Sequence, residues 1–237
     1  MIIGFIALTG CSSKYVAPGP GVAMDQITQE GVSGDGWRVE RPQPTATFPA
    51  RIAVARVQGA GYRNYNLVAY GSGRYSVVTT REVEADEDLA RLSNLPQLAG
   101  LAMMNRLILP SELNSDRELR QAASKLQAGL LLIYSFDTSF RVNEHEIGPL
   151  GVISLGMIPN HEARVTSTCS AMLLDVNTGY IYGLAEATGK QSELASYWRS
   201  EEAVDSARVK AEKKAFGALV PELEKMWADV VAGYARK

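Results

Sequence analysis

The stretch Ser115-Asp-Arg-Glu-Leu-Arg-Gln-Ala-Ala-Ser-Lys-Leu-Gln-Ala-Gly-Leu-Leu-Leu-Ile-Tyr-Ser-Phe136 decides the fold. It joins two different periodicities. Ser115 and Glu118 have the spacing of a capping box, in which the two side chains satisfy orphan donors of a first helical turn. Leu119, Ala122, Ala123 and Leu126 then fall on one helical face, which predicts a helix over about 116–128. Gly129 is expected to end it in a left-handed conformation. Leu130 to Phe136 is a continuous apolar run, the pattern of a central strand buried on both faces. A helix feeding directly into a central strand calls for a sheet covered by helices.

Working outward, Arg51-Ile-Ala-Val-Ala-Arg-Val-Gln58 is β-rich and bounded by Pro49 and Gly59, and Arg74 to Thr80 reads as a second strand. Tyr62 to Tyr70 fits either a short helix or a further strand. Residues 84–93 suit a short acidic helix. Alternation over 164–176 and 180–188, around Asn177-Thr178-Gly179, indicates an antiparallel hairpin. From Glu201 the chain turns helical, with Phe216, Leu219, Leu223, Met226 and Val230 stepping by 3 and 4, a stripe expected to pack on the chain's own sheet. Pro221 should kink that helix or split it. The fold class is therefore α/β (α+β): a mixed sheet with an antiparallel hairpin, covered by helices, with a long C-terminal helix.

Composition bounds the function. The 237 residues are 46% hydrophobic and 21% charged, and 24 Lys+Arg against 26 Asp+Glu leave a net charge of −2. No basic excess exists to neutralise phosphates, which argues against nucleic acid as a partner. No stretch approaches the ~20 apolar residues of a spanning helix. Arg51, Arg56, Arg63 and Arg74, near the first strands, read as a solvated face. Gly59-Ala-Gly61 follows a strand, but Asn64 stands where a dinucleotide loop needs its third glycine.

The amino terminus carries the sharpest motif. Met1 to Gly10 lack side-chain charge and are mostly apolar, and Leu8-Thr9-Gly10-Cys11 matches the bacterial lipobox. On this reading residues 1–10 are a lipoprotein signal peptide and Cys11 is the acylated residue. The segment is shorter than the usual ~15–30 residues and lacks a basic start. Ser12, rather than Asp, implies sorting to the outer membrane, facing the periplasm, in a cell with two membranes. Residues 11–49 are punctuated by Pro and Gly and read as a flexible tether, and residues 50–237 as one globular domain. Cys169 lies in an alternating run, with Val165, Ala171 and Leu173 on the same face, and is expected to be a small buried residue.

Three landmarks together carry a resemblance: Arg51-Ile-Ala-Val-Ala-Arg-Val57, the helix and strand of 119–134, and Met172-Leu-Leu-Asp-Val-Asn-Thr-Gly-Tyr-Ile-Tyr182. They resemble the envelope lipoprotein superfamily that includes the curli-secretion channel protein, penicillin-binding-protein activators and the amino-terminal domain of TolB. Asp175, Thr178 and Gly179 match its "Asp-x-x-Thr-Gly" hairpin, and Gly129 stands where it often has Asp. The resemblance implies a non-enzymatic binding or assembly module for envelope partners, held to the membrane by N-terminal acyl chains, without a cofactor and with homo-oligomerisation as an open alternative. It carries over no active site.

Two alternatives remain. The apolar insertion Gly148 to Pro159 offers Leu150, Val152, Ile153, Leu155, Met157 and Ile158 either as a buried strand or as a surface for a partner. It is too short for a pair of membrane-spanning strands, which weakens the reading as a subunit of an oligomeric secretion pore. Glu144-His145-Glu146 and His161-Glu162 flank it. Were 143–161 a hairpin, His145 and His161 with Glu146 or Glu162 would form a 2-His-1-carboxylate set for zinc or iron, the basis of a metal-dependent enzyme. No His-Glu-x-x-His motif supports it.

Overall fold

The computed structural model describes residues 21–22, 42–64, 66–144, 161–195 and 200–235. Cys11, Ser12, His145, Glu146, and Leu150, Val152, Ile153, Leu155, Met157 and Ile158 of the insertion lie outside the described residues.

Among the described residues the elements run β1 (Ala50–Gly59), β2 (Ser72–Gly73), β3 (Tyr75–Val78), α1 (Asp86–Ser93), β4 (Leu98–Met103), β5 (Glu112–Leu113), α2 (Asp116–Lys125), β6 (Leu130–Glu144), β7 (His161–Asp175), β8 (Ile181–Ala195) and α3 (Ser200–Tyr234). The main sheet has six strands in the order β3-β1-β6-β7-β8, with β4 beside the first half of β1 and β3 beside the second half. The β1–β6 and β1–β4 pairs are parallel, and the other pairs of this sheet are antiparallel. This is the expected mixed α+β architecture, with the long C-terminal helix packed on the sheet.

Strand alternation divides the core into two layers. Ile52 and Val54 of β1, Leu132, Tyr134 and Phe136 of β6, and Cys169, Ala171 and Leu173 of β7 face α3, where they meet Phe216, Leu219, Leu223 and Trp227. Ala53, Ala55 and Val57, with Leu131 and Ile133, face α2 through Leu119, Ala122 and Ala123. Strand β6 is covered on both sides, which explains its unbroken apolar run. Trp227 is buried with its indole N–H donating to the Pro96 carbonyl at 2.8 Å, so its large apolar area is buried without an orphan donor.

The helix of the opening stretch begins as expected. Glu118 accepts hydrogen bonds from the amide and the hydroxyl of Ser115, at 2.9 and 2.8 Å, within a capping box. Its end differs from expectation. The left-handed residue is Gln127, at φ 55°, not Gly129. The Ala128 amide donates to the Ala123 carbonyl and the Gln127 amide to the Ser124 carbonyl, the paired bonds of a Schellman motif. Gly129 is already in the sheet region, donating to the Arg51 carbonyl.

Two further expectations change. The described residues of 62–70 form neither a helix nor a continuous strand but a loop pinned by isolated bridges between Arg63 and Val68 and between Tyr70 and Val77. Pro221 does not split the C-terminal helix, since α3 is one element of 35 residues with the proline inside it. No described helix is long and apolar enough to cross a membrane.

Candidate functional site

Two features stand out among the described residues: a buried cluster of charges between the sheet and α3, and the open outer edge of β8.

The charge cluster starts from Arg56. The strand alternation that points Ile52 and Val54 at α3 points Arg56 there too, and it is 2% exposed. It does not belong to the solvated face expected from its sequence, whereas Arg51, Arg63 and Arg74 are exposed. Its guanidinium donates to Glu212 Oε2 at 3.0 Å, lies 3.6 Å from Glu84 Oε1, and stacks 4.6 Å from the centre of the Phe136 ring. Arg208 completes the set. It donates to Asp205 at 2.9 Å and Glu212 at 2.9 Å on its own helix, and to Glu82 at 2.7 Å across the interface. Thr138 adds a hydrogen bond to Glu212 at 3.2 Å, and the Tyr134 hydroxyl donates to Glu84 at 2.7 Å.

Electrostatics follows this geometry. Burial alone would lower the Arg56 and Arg208 pKa values, but Glu212 and the neighbouring carboxylates outweigh it and hold both above the ordinary range. Burial pushes the Glu82 carboxyl up, while its hydrogen bonds and charge contact with Arg208 reverse the sign and leave it below its usual value. The Cys169 thiol, fully buried nearby, is pushed well up by burial, which keeps it protonated and unreactive. The two arginines thus act as bolts between β1, the 82–84 segment and α3. Among the described residues the Tyr62 hydroxyl and Arg56 Nε and Nη1 are buried without a hydrogen-bond partner. A 530 Å³ surface cleft lined by Tyr70, Arg81 and Arg106 reaches the cluster at Glu82.

Sequence reasoning missed this cluster, although its signals were present. Arg56 sits in phase with Ile52 and Val54, and Asp205, Arg208 and Glu212 have the i, i+3 and i, i+4 spacing of neighbours on one helical face. What no local pattern shows is that these two sets meet.

The second feature is at the other side of the molecule. β8 is the last strand of the sheet, and among the described residues nothing pairs with its outer side. Its 15 residues extend for roughly 50 Å. Helix α3 crosses its inner face so closely that a side chain on Gly189 would collide with the Ala211 carbonyl and the Ala215 amide. Leu184, Glu186, Thr188, Lys190 and Ser192 point to the opposite, exposed face, with Leu184 69% exposed. Beside the first half of the strand runs a 320 Å³ groove, lined by Tyr182, Leu184, Met226, Val230 and Tyr234 and edged by Glu222, Lys225 and Asp229. Tyr180, Tyr182 and Tyr234 stack edge to face at its end.

The Asn177-Thr178-Gly179 turn forms as expected, with Gly179 at φ 72°. Asp175, fully buried, does more than turn chemistry. Its carboxylate accepts from the amides of Asn177 and Thr178, and also from the Thr45 amide and hydroxyl, the Ala46 amide and the Tyr182 hydroxyl. The chain entering the domain is thereby clipped to the hairpin. Burial raises the Asp175 pKa, and the Thr45, Thr178 and Asn177 donors outweigh that and leave it lowered.

The sequence-predicted site residues are only partly placed. The β6–β7 register sets Glu144 opposite His161 and Asn143 opposite Glu162, so the strands flanking the insertion do form the base of a hairpin. His161 and Glu162 are placed by backbone position only. Among the described residues no group of His, Cys, Asp and Glu is arranged to hold a metal ion.

No family model and no curated protein matches the chain. Solved structures of similar arrangement include a homolog of the neuraminyllactose-binding hemagglutinin from Helicobacter pylori, at 8% identity and TM-score 0.36, covering 81% of this chain and 95% of that one. They also include a protein from Xanthomonas campestris, at 12% identity and TM-score 0.35, with 79% and 92% covered. A third is a lipoprotein from Neisseria meningitidis, at 11% identity and TM-score 0.30, with 76% and 99% covered. Bacterial lipoproteins are thus among the structures this chain is similar to, and at these values the likeness names no family for it.

Proposed function

We propose that the chain is a lipid-anchored binding or assembly module of the bacterial envelope, with no cofactor, in which the folded domain presents a docking strand to protein partners. The observation that carries the reading is the contrast between the two features above. The buried charges are spent on holding α3 to the sheet, while β8 offers, among the described residues, a long unpaired edge beside a groove that mixes aromatic, aliphatic and charged side chains. An extended segment that adds to such an edge gains main-chain hydrogen bonds, and alternate side chains find the neighbouring groove. Cys11 supplies the anchor. Acylation there moors residues 11–49 to the bilayer, each buried methylene contributing about 0.8 kcal/mol. Ser12 directs the protein to the periplasmic face of the outer membrane in a two-membrane cell. The apolar residues Leu150, Val152, Ile153, Leu155, Met157 and Ile158 provide a second contact for a partner.

Two measurements on cells expressing the full chain test this. Mass spectrometry of the mature amino terminus should find a diacylglyceryl-modified Cys11, and Cys11→Ser should move the protein into the soluble fraction. A photo-crosslinking residue substituted at Leu184 should capture a discrete envelope protein. A mature chain that keeps Met1 and extracts without detergent overturns the anchor, and absence of any discrete adduct from position 184 overturns the docking strand.

A further inference from the structure

We infer that the outer edge of β8 pairs antiparallel with the β8 edge of a second copy of this chain, about a twofold axis through Thr188; the inference rests on reading β8 as the docking strand.

An edge strand carries a row of unpaired amides and carbonyls, and exposed charges on it normally deter association. On the exposed face of β8 the order is Leu184, Glu186, Thr188, Lys190, Ser192. A twofold axis normal to the sheet keeps each face on its own side, so the exposed residues of one copy meet the exposed residues of the other. With Thr188 opposite its own counterpart, Glu186 of each copy stands opposite Lys190 of the other, and Leu184 stands opposite Ser192. The charges that would repel a general partner become two equivalent cross-strand ion pairs.

The register is selected by what its neighbours do. Sliding one strand so that the axis passes through Glu186 or through Lys190 sets like charges directly opposite, which is destabilising. Placing the axis at Ala187 or Gly189 leaves Glu186 and Lys190 facing uncharged residues. Only the Thr188 register satisfies both charges in both copies. On the inner face that register brings Ala187 opposite Gly189, so no bulky side chains meet across the axis. Two of these residues are already held in position: Glu186 accepts a hydrogen bond from Ser170 at 2.8 Å, and Thr188 bonds Thr168 at 3.0 Å across the β7–β8 pair.

The test is a charge swap in the full chain, read by sedimentation over a range of concentrations. The unsubstituted protein should dimerise. E186K and K190E should each weaken dimerisation about tenfold or more, because each turns two attractive pairs into two repulsive ones, and tenfold corresponds to about 1.4 kcal/mol. The double variant E186K/K190E should restore it. Both positions are exposed, and unchanged far-UV circular dichroism verifies that the variants fold. In parallel, T188C treated with a short bis-maleimide should give a covalent dimer above the background set by the unsubstituted chain. A chain that stays monomeric, a dimer insensitive to the single reversals, or a double variant that fails to recover overturns the inference. If the chain stays monomeric while position 184 still captures an envelope protein, self-pairing falls and the docking reading stands. If neither forms, both fall.

Discussion

Arg56 shows how a single side chain sets the character of this domain. Its carbon stem shares a strand face with Ile52 and Val54, and its charge is neutralised only because Glu84 and Glu212 arrive from elsewhere. Removing one member of such a set strands the others in a low-dielectric interior. Arg56→Met is expected to destabilise the domain by about 3–5 kcal/mol in urea unfolding, while Arg51→Met, at an exposed position on the same strand, should stay within about 0.5 kcal/mol. Equal effects for the two would show that the buried cluster contributes nothing to folding. Gln58 makes a related point without charge. Its side-chain amide donates to the Phe136 carbonyl and accepts from the Phe136 amide, standing in for the next backbone unit where β1 stops pairing with β6. The alternation of β1 announces that Arg56 and Gln58 point inward, but the apolar reading of the strand hid it, because inward arginine is rare unless it is paired.

At the scale of elements, the helix ends and the helix–strand contact are the sensitive points. Gln127 occupies a left-handed conformation that costs a residue with a side chain roughly 1 kcal/mol relative to glycine. Gln127→Gly is therefore expected to stabilise the protein by about that amount, seen as a higher denaturation midpoint with an unchanged slope. The contact between α3 and β8 is tighter. Ala207, Ala211 and Ala215 keep the helix surface shallow, and Gly189 keeps the strand surface shallow beneath it. Gly189→Ala would push the helix backbone away and is expected to cost about 3 kcal/mol, measured by urea unfolding, whereas a cost below about 1 kcal/mol would mean that the strand alone, not the contact, sets the effect. The capping box and the Asn-x-Gly hairpin were legible because each is complete within a few residues. The position of the left-handed residue was not, because Gly129 was claimed instead by a hydrogen bond to Arg51 of another strand.

For the whole molecule, pH reports how the pieces are fastened. Asp175 clips Thr45 and Ala46 to the hairpin, and Glu82 holds Arg208; both carboxyl pKa values are lower in the fold than in the unfolded chain. A lowered folded pKa means stability that is fully present above the unfolded value, about 4, and is lost as pH falls through the folded value. Unfolding free energy should thus be flat from pH 7 to about 5 and decline below about 4. Asp175→Asn should reduce the acid-dependent part and speed hydrogen exchange at the Thr45 and Ala46 amides. Exchange unchanged by that substitution would show that the entering chain is held by other contacts. The sequence by itself determined the mixed α+β class, the central strand, the hairpin and the long helix, because periodicity, capping and turn chemistry act over a few neighbouring residues. Only the tertiary structure decided that Arg56 meets Glu212, that Asp175 captures Thr45, and that among the described residues β8 ends the sheet. The first two join residues more than a hundred positions apart, and no local energy term records which strand ends a sheet.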